Sequence, residues 1–207
     1  MPHPSTTRLQ RQLQGTVKPI RTTPLDALML ARRKFLKGQP IDLKDLAREL
    51  GVNRVTLYRW VGTYEMLLGE VLCTLADQAW KVACESARKS DPDYAANVLH
   101  RFLELIQAHE PFQRFVRTEG EFALKVATSK HSRLQASVLE HCRALLKEQC
   151  EAGHLDLPKD LESLAYALIR ISESFLYNDL ITGRAPDLSK ASKIMKALLH
   201  APWSSLE

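Results

Sequence analysis

From Pro24 to Leu199 the apolar residues recur at three- and four-residue intervals, the period of a helix with one buried stripe. Leu25, Leu28, Met29, Phe35 and Leu36 form the first stripe, and Gly38-Gln39-Pro40 ends it. Asp42 is placed to cap a short second helix carrying Leu43, Leu46, Ala47 and Leu50. Gly51 turns the chain, Asn53 caps a third helix to about Trp60, and Gly62-Thr63 restarts it. A long fourth helix is predicted from Thr63 to about Lys89, with Leu68, Val71, Leu72, Leu75, Ala79, Val82 and Ala83 on one face. Ser90-Asp91-Pro92 reads as a stop and a new start with Pro92 at the first helical position, and Glu110-Pro111 repeats the signal. Three more helices are predicted, from Ser132 to about Ala152, Pro158 to about Ile181 and Leu188 to about Leu199. No alternating apolar pattern and no hairpin turn signal interrupts them. The expected fold class is all-α.

Residues 1–23 lack any such period. They are rich in Pro, Thr, Gln and Ser, carry Arg8, Arg11, Lys18 and Arg21 without an acid, and read as a disordered basic arm. Charge is divided unevenly along the chain. Residues 1–62 hold twelve Lys/Arg against four Asp/Glu, a balance of +8, whereas the remainder holds seventeen against twenty, a balance of −3. A polyanion-binding module joined to a near-neutral body has this asymmetry. Hydrophobic content of 45% with 26% charged residues permits a full core. No stretch is long and apolar enough for a membrane span or a signal h-region, and the four cysteines lack paired spacing. A reduced, cytoplasmic protein without a membrane partner is expected.

The second and third helices carry the most specific pattern. A helix-turn-helix requires small or apolar residues at fixed positions, and Leu46, Ala47, Leu50, Val52, Leu57 and Trp60 supply them around Gly51. Ala47 must be small where the next helix passes over it, and Gly51 tolerates the positive φ of the turn. The remaining face presents Asn53, Arg54, Val55, Thr56, Tyr58 and Arg59. Arg54 suits guanine edges or phosphate, Val55 and Thr56 suit thymine methyls, and Tyr58 and Arg59 suit phosphate oxygens. Lys44, at the start of the second helix, and Tyr64, at the start of the fourth, complete the candidate DNA-binding set.

The string GVNRVTLYRWVGTYEMLL resembles the TetR-type regulators through Gly51, Val52, Thr56, Leu57, Tyr58, Glu65, Leu67 and Leu68. Asn53 stands where that family usually has a serine cap, a chemical equivalent. Val61 replaces a typical aromatic residue, with Trp60 beside it, and Tyr64 replaces a lysine that contacts phosphate in the family. The wording from Leu57 to Leu72 looks more specifically like the QsdR-like, lactone-catabolism branch. The resemblance implies a homodimer, each chain a three-helix DNA-binding domain plus a helical ligand-binding and dimerisation bundle. It also implies a double-stranded DNA operator and a small-molecule effector that loosens the grip on it. The expected division is an arm over 1–23, a DNA-binding domain over 24–70 whose fourth helix continues as a connector to about 89, and a second domain over 71–207.

The residues of the second domain support a two-sided burial. Pro158–Ile181 is apolar almost all round, and Leu188–Leu199 adds a further stripe, so the pair could meet a partner subunit across a two-fold axis. Phe112, Phe115 and Phe122, clustered with charges around Gly120, and Arg170, Glu173, Ser174 and Tyr177 within the apolar helix are the candidate ligand contacts. Arg170 and Glu173, three apart, could equally pair with each other. Cys142, Cys150 and His154 share at best one helix side, so no metal is expected, and no cofactor or catalytic motif is present. The expectation is a ligand-responsive DNA-binding regulator, in the usual case a repressor. Its rivals are a helical-domain enzyme acting on a small acyl or lactone substrate and an adaptor whose helix-turn-helix binds protein.

Overall fold

The structure, a computed structural model, describes residues 22–128 and 133–203. The basic arm expected over 1–23 lies outside the described residues except for its last two. Thr23 already belongs to the fold. Its side chain accepts from the Asp26 backbone N–H at 3.3 Å and Asp26 accepts from the Thr23 N–H at 2.7 Å, a capping box that starts α1 (Pro24–Leu36). Asp42 caps α2 (Leu43–Leu50) by accepting from Lys44 N–H at 2.6 Å and Asp45 N–H at 3.1 Å. Gly51 sits at φ 66°, and the following Val52 N–H returns to the Ala47 carbonyl at 3.0 Å. Asn53 then caps α3 (Arg54–Val61), and Thr63 caps α4 (Tyr64–Ser86).

The body follows as α5 (Tyr94–Ala108), α6 (Glu110–Thr118), α7 (Gly120–Thr128), α8 (Arg133–Glu151), α9 (Leu161–Leu176), α10 (Asn178–Thr182) and α11 (Leu188–Leu199). Among the described residues there is no strand, as an all-α chain requires. Three boundaries differ from the periodicity. Pro92 does not open α5, because Asp91 accepts from the Asp93 N–H at 2.9 Å and from Asn97, making a turn that delays the helix to Tyr94. Glu119, at φ −136° and ψ 43°, breaks the chain so that the aromatic segment becomes two short helices. The long apolar helix starts at Leu161, where Asp160 accepts from the Ser163 N–H at 3.0 Å, and it is interrupted at Tyr177.

Two apolar cores result. One gathers the C-terminal half of α4 with α5, α8, α9 and α11, including Leu99, Leu146, Leu168 and Met195. The other gathers α1, α2 and α3 with the start of α4, and it continues into α6 and α7 through Phe112, Phe115, Val116, Ala123 and Val126. Ile106 and Leu134 touch both. Leu46 and Leu57, the inward residues of the helix-turn-helix, are fully buried, each contributing about 1.5–3 kcal/mol of hydrophobic stabilisation. Cys142 is a core filler, its thiol pushed up to about 12 by burial alone. No helix among the described residues is long and apolar enough to cross a membrane.

Candidate functional site

Two features of this fold can do chemistry, a cationic helix face at one end and a cavity in the body. The face is built by α3. With Leu57 turned inward, Arg54, Val55, Tyr58 and Arg59 stand together at the surface. Val55 is 68% exposed beside them. Arg54 donates from Nη2 to the Tyr58 hydroxyl at 3.2 Å and lies 5.2 Å from the ring centroid, so the phenol fixes the guanidinium in place. Among the described residues, no carboxylate comes within ion-pair distance of Arg54 or Arg59 (contrast Arg48, paired with Asp45 at 2.7 Å). The α3 face thus keeps its positive charge, with the positive end of the helix dipole at its N-terminus beside Asn53.

The other predicted members are dispersed around it. Lys44 is exposed at the first turn of α2, and Thr56 is half-buried. Tyr64 is half-buried, its ring stacked on Phe122 at 5.5 Å and 8°, and burial raises its phenol above the ordinary range, assisted by Glu119. Its aromatic face is therefore held by α7.

Behind the helix-turn-helix, α6 and α7 form a buttress. Phe115 meets Phe35 of α1 edge-on at 5.8 Å and Phe122 at 6.3 Å. Lys125 pairs with Glu65 at 2.7 Å. The Arg114 guanidinium lies over Gly38 in the α1–α2 turn, where a Cβ would fall 2.6 Å from its Cζ. Phe115 and Phe122, expected in a ligand pocket, are instead these interlocking rings. The spacing of aromatics around Gly120 was the same for either role.

The cavity lies between α4, α5, α6, α8 and α9 and has a volume of about 100 Å³. Its walls are chiefly apolar, among them Leu75, Phe102, Ile106, Phe112, Val138 and Leu176. Polar groups enter from His109, Gln135, Ser172, Glu173 and Tyr177. Of the predicted contacts, Phe112, Glu173 and Tyr177 line this space. Arg170 sits behind it, donating to Gln135 Oε1 at 2.5 Å and pairing with Glu173. Ser174 points elsewhere, its exposed hydroxyl bonded to the Ile171 carbonyl at 2.8 Å. Sequence reasoning missed His109 and Gln135. His109 precedes the Glu110-Pro111 helix start, so a capping role was readable there. Gln135 looked like any polar residue on an amphipathic helix.

Burial lowers the His109 pKa, with the charge of Arg32 adding to it, and its Nδ1 accepts from the Phe112 N–H at 3.3 Å. Burial raises the Glu173 pKa against the opposing pull of Arg170 and Gln135. The Tyr177 phenol is raised strongly by burial.

A capped helix-turn-helix ahead of a helical body with an internal cavity defines a class, the one-component regulators whose sensing and DNA-reading parts share a chain. Comparison with known proteins agrees. Residues 92–200 match the family model for tetracyclin repressor-like C-terminal domains, and the chain belongs to the TetR family of transcriptional regulators. The solved structure of the TetR-family transcriptional repressor QsdR from R. erythropolis is similar with a TM-score of 0.80 and 28% identity, over 85% of this chain and 93% of that one. A TetR family regulator, PfmR from Thermus thermophilus, aligns over 85% of this chain and 96% of its own at 22% identity, with a TM-score of 0.41. No curated protein matches the chain. The family consists of DNA-binding transcription factors rather than enzymes, which sets aside the helical-domain enzyme as a reading.

Proposed function

We propose that this chain is a transcriptional repressor that holds a palindromic operator as a homodimer and releases it when a small hydrophobic or amphipathic effector enters the body cavity. The observation that carries the DNA half is the α3 face, where Arg54 and Arg59 keep their charge beside exposed Val55 and Tyr58. In this reading Asn53, Arg54, Val55 and Thr56 face base edges, while Lys44, Tyr58, Arg59 and the Tyr64 hydroxyl approach phosphate. Residues 24–70 read DNA, the remainder of α4 connects, and the rest of the chain senses and dimerises. The basic arm over 1–23 would follow an adjacent groove. Exposed Tyr166 on α9 and Ile194 on α11 favour these two helices as the dimer face, which would set two α3 copies about one DNA turn (roughly 34–36 Å) apart. QsdR is a repressor, and the likeness to it favours both the repressor role and the QsdR-like branch for this cytoplasmic chain.

The test is retention of a labelled palindrome from the chain's own promoter region, by fluorescence anisotropy across a salt series. Affinity should fall steeply with salt and exceed that for scrambled DNA. Equal affinity for both sequences refutes a specific regulator. Absence of retention even at low salt would restore the adaptor reading.

A further inference from the structure

The polar inventory of the cavity restricts what kind of molecule it can hold, and this step rests on the reading of the cavity as the effector site. His109 caps α6 through Nδ1, which accepts the Phe112 N–H at 3.3 Å. With Nδ1 an acceptor, the proton of the neutral ring stands on Nε2, and the imidazole offers a donor. Glu173 is engaged on both oxygens. Gln135 Nε2 donates to Oε1 at 2.8 Å, and Arg170 pairs with Oε2. A carboxylate has about four lone-pair positions, so Glu173 retains acceptor capacity. Gln135 Oε1 is occupied by Arg170. The Ser172 hydroxyl donates to the Leu168 carbonyl at 2.8 Å and also lies 3.1 Å from the Met195 sulfur.

Among the described residues, the wall of this cavity includes no lysine and no arginine. The cation in this network, Arg170, stands behind Gln135 and Glu173 and is neutralised by the latter, although its Nε has no partner among the described residues. An anionic head would lose its hydration and meet the Glu173 carboxylate with no lysine or arginine among the described wall residues to pair with, an arrangement costly at low dielectric. An uncharged head that accepts from His109 and donates to Glu173 meets neither cost.

We propose that the effector is an uncharged amphipathic molecule whose head both accepts and donates a hydrogen bond, of the amide or alcohol class, and that free carboxylates are excluded. Apolar walls from Phe102, Ile106 and Val138 take its hydrocarbon body.

Octanamide and octanoate share a chain and differ in the head, so they isolate this term. Their affinities for the full-length protein are measured at pH 8 by displacement of the neutral dye N-phenyl-1-naphthylamine and by calorimetry. Octanamide should bind at least about tenfold more tightly than octanoate, and Glu173→Gln should shrink that gap by weakening octanamide and admitting octanoate. The wild-type comparison stands even if the variant folds poorly. Octanoate binding as tightly as octanamide to the wild type overturns the inference while leaving the cavity as an effector site. If the dye and both probes fail to bind a preparation that still retains its operator, the cavity reading falls and the inference with it.

Discussion

The helix-turn-helix and the cavity make opposite demands on a chain. The first is a local device, in which Ala47, Gly51, Asn53 and Leu57 each have one task set by a neighbour a few residues away. The second is an assembly, with Leu72 of α4, His109 before α6, Gln135 of α8 and Glu173 of α9 brought together only by tertiary packing. A local device is specified by residue type at fixed spacing, and a single substitution acts on it directly. An assembled cavity is specified by which helices meet, so many sequences can build a similar wall with different chemistry.

The contrast is broken most severely at the buttress. Phe115→Ala should cost about 3–5 kcal/mol of stability, as burial of a Phe between α1 and α7 implies. It should also weaken DNA retention, although Phe115 is distant in sequence from α3. Urea denaturation and anisotropy together check this. Unimpaired DNA retention would show that the two regions are independent after all. Arg54→Ala should leave the unfolding midpoint unchanged while costing roughly 1–3 kcal/mol of operator binding with relaxed sequence preference. A loss equal on all sequences would make Arg54 a phosphate contact only.

Gly38→Ala should cost about 1 kcal/mol or more, because φ is +65° and the new Cβ meets the Arg114 guanidinium. Adding Arg114→Ala should recover the steric part and leave the backbone part, a double-mutant cycle by thermal unfolding. The smallest effect is expected at Asp42. Its carboxyl is held below the usual range by the Asp45 and Lys44 backbone N–H groups. That contribution is complete above the ordinary carboxylate range and is lost as pH falls through the depressed value. Asp42→Asn should keep the cap near neutrality and flatten the acid side of the stability profile, which pH-dependent unfolding would read.

These differences explain what could be read from the chain beforehand. Asp42, Gly51, Asn53 and Thr63 announce their helix boundaries because a cap is decided within a few residues. Pro92 misled because Asp91, one residue earlier, forms a turn through its side chain that outcompetes proline at the first helical position. Phe112, Phe115 and Phe122 carry the same chemistry, yet only the first faces the cavity. Phe112 and Phe115, three apart on α6, take different sides of that helix, and Phe122 follows the break at Glu119, a backbone conformation with no composition signal. Glu173 and Arg170 were readable as a pair from their spacing, whereas the part of Gln135 in joining them required α8 and α9 to be adjacent.

The interlock of α6 and α7 with the first three helices also bears on portability. The hydrophobic unit that steadies α3 is discontinuous along the chain, since Phe115, Val116, Ala123 and Val126 close what Ala27, Phe35 and Leu46 begin. A DNA reader cut out at residue 70 would leave with an open flank. A graft between relatives would have to carry residues 110–128 along with the first four helices, so inheritance and engineering should both treat the two segments as one transferable part.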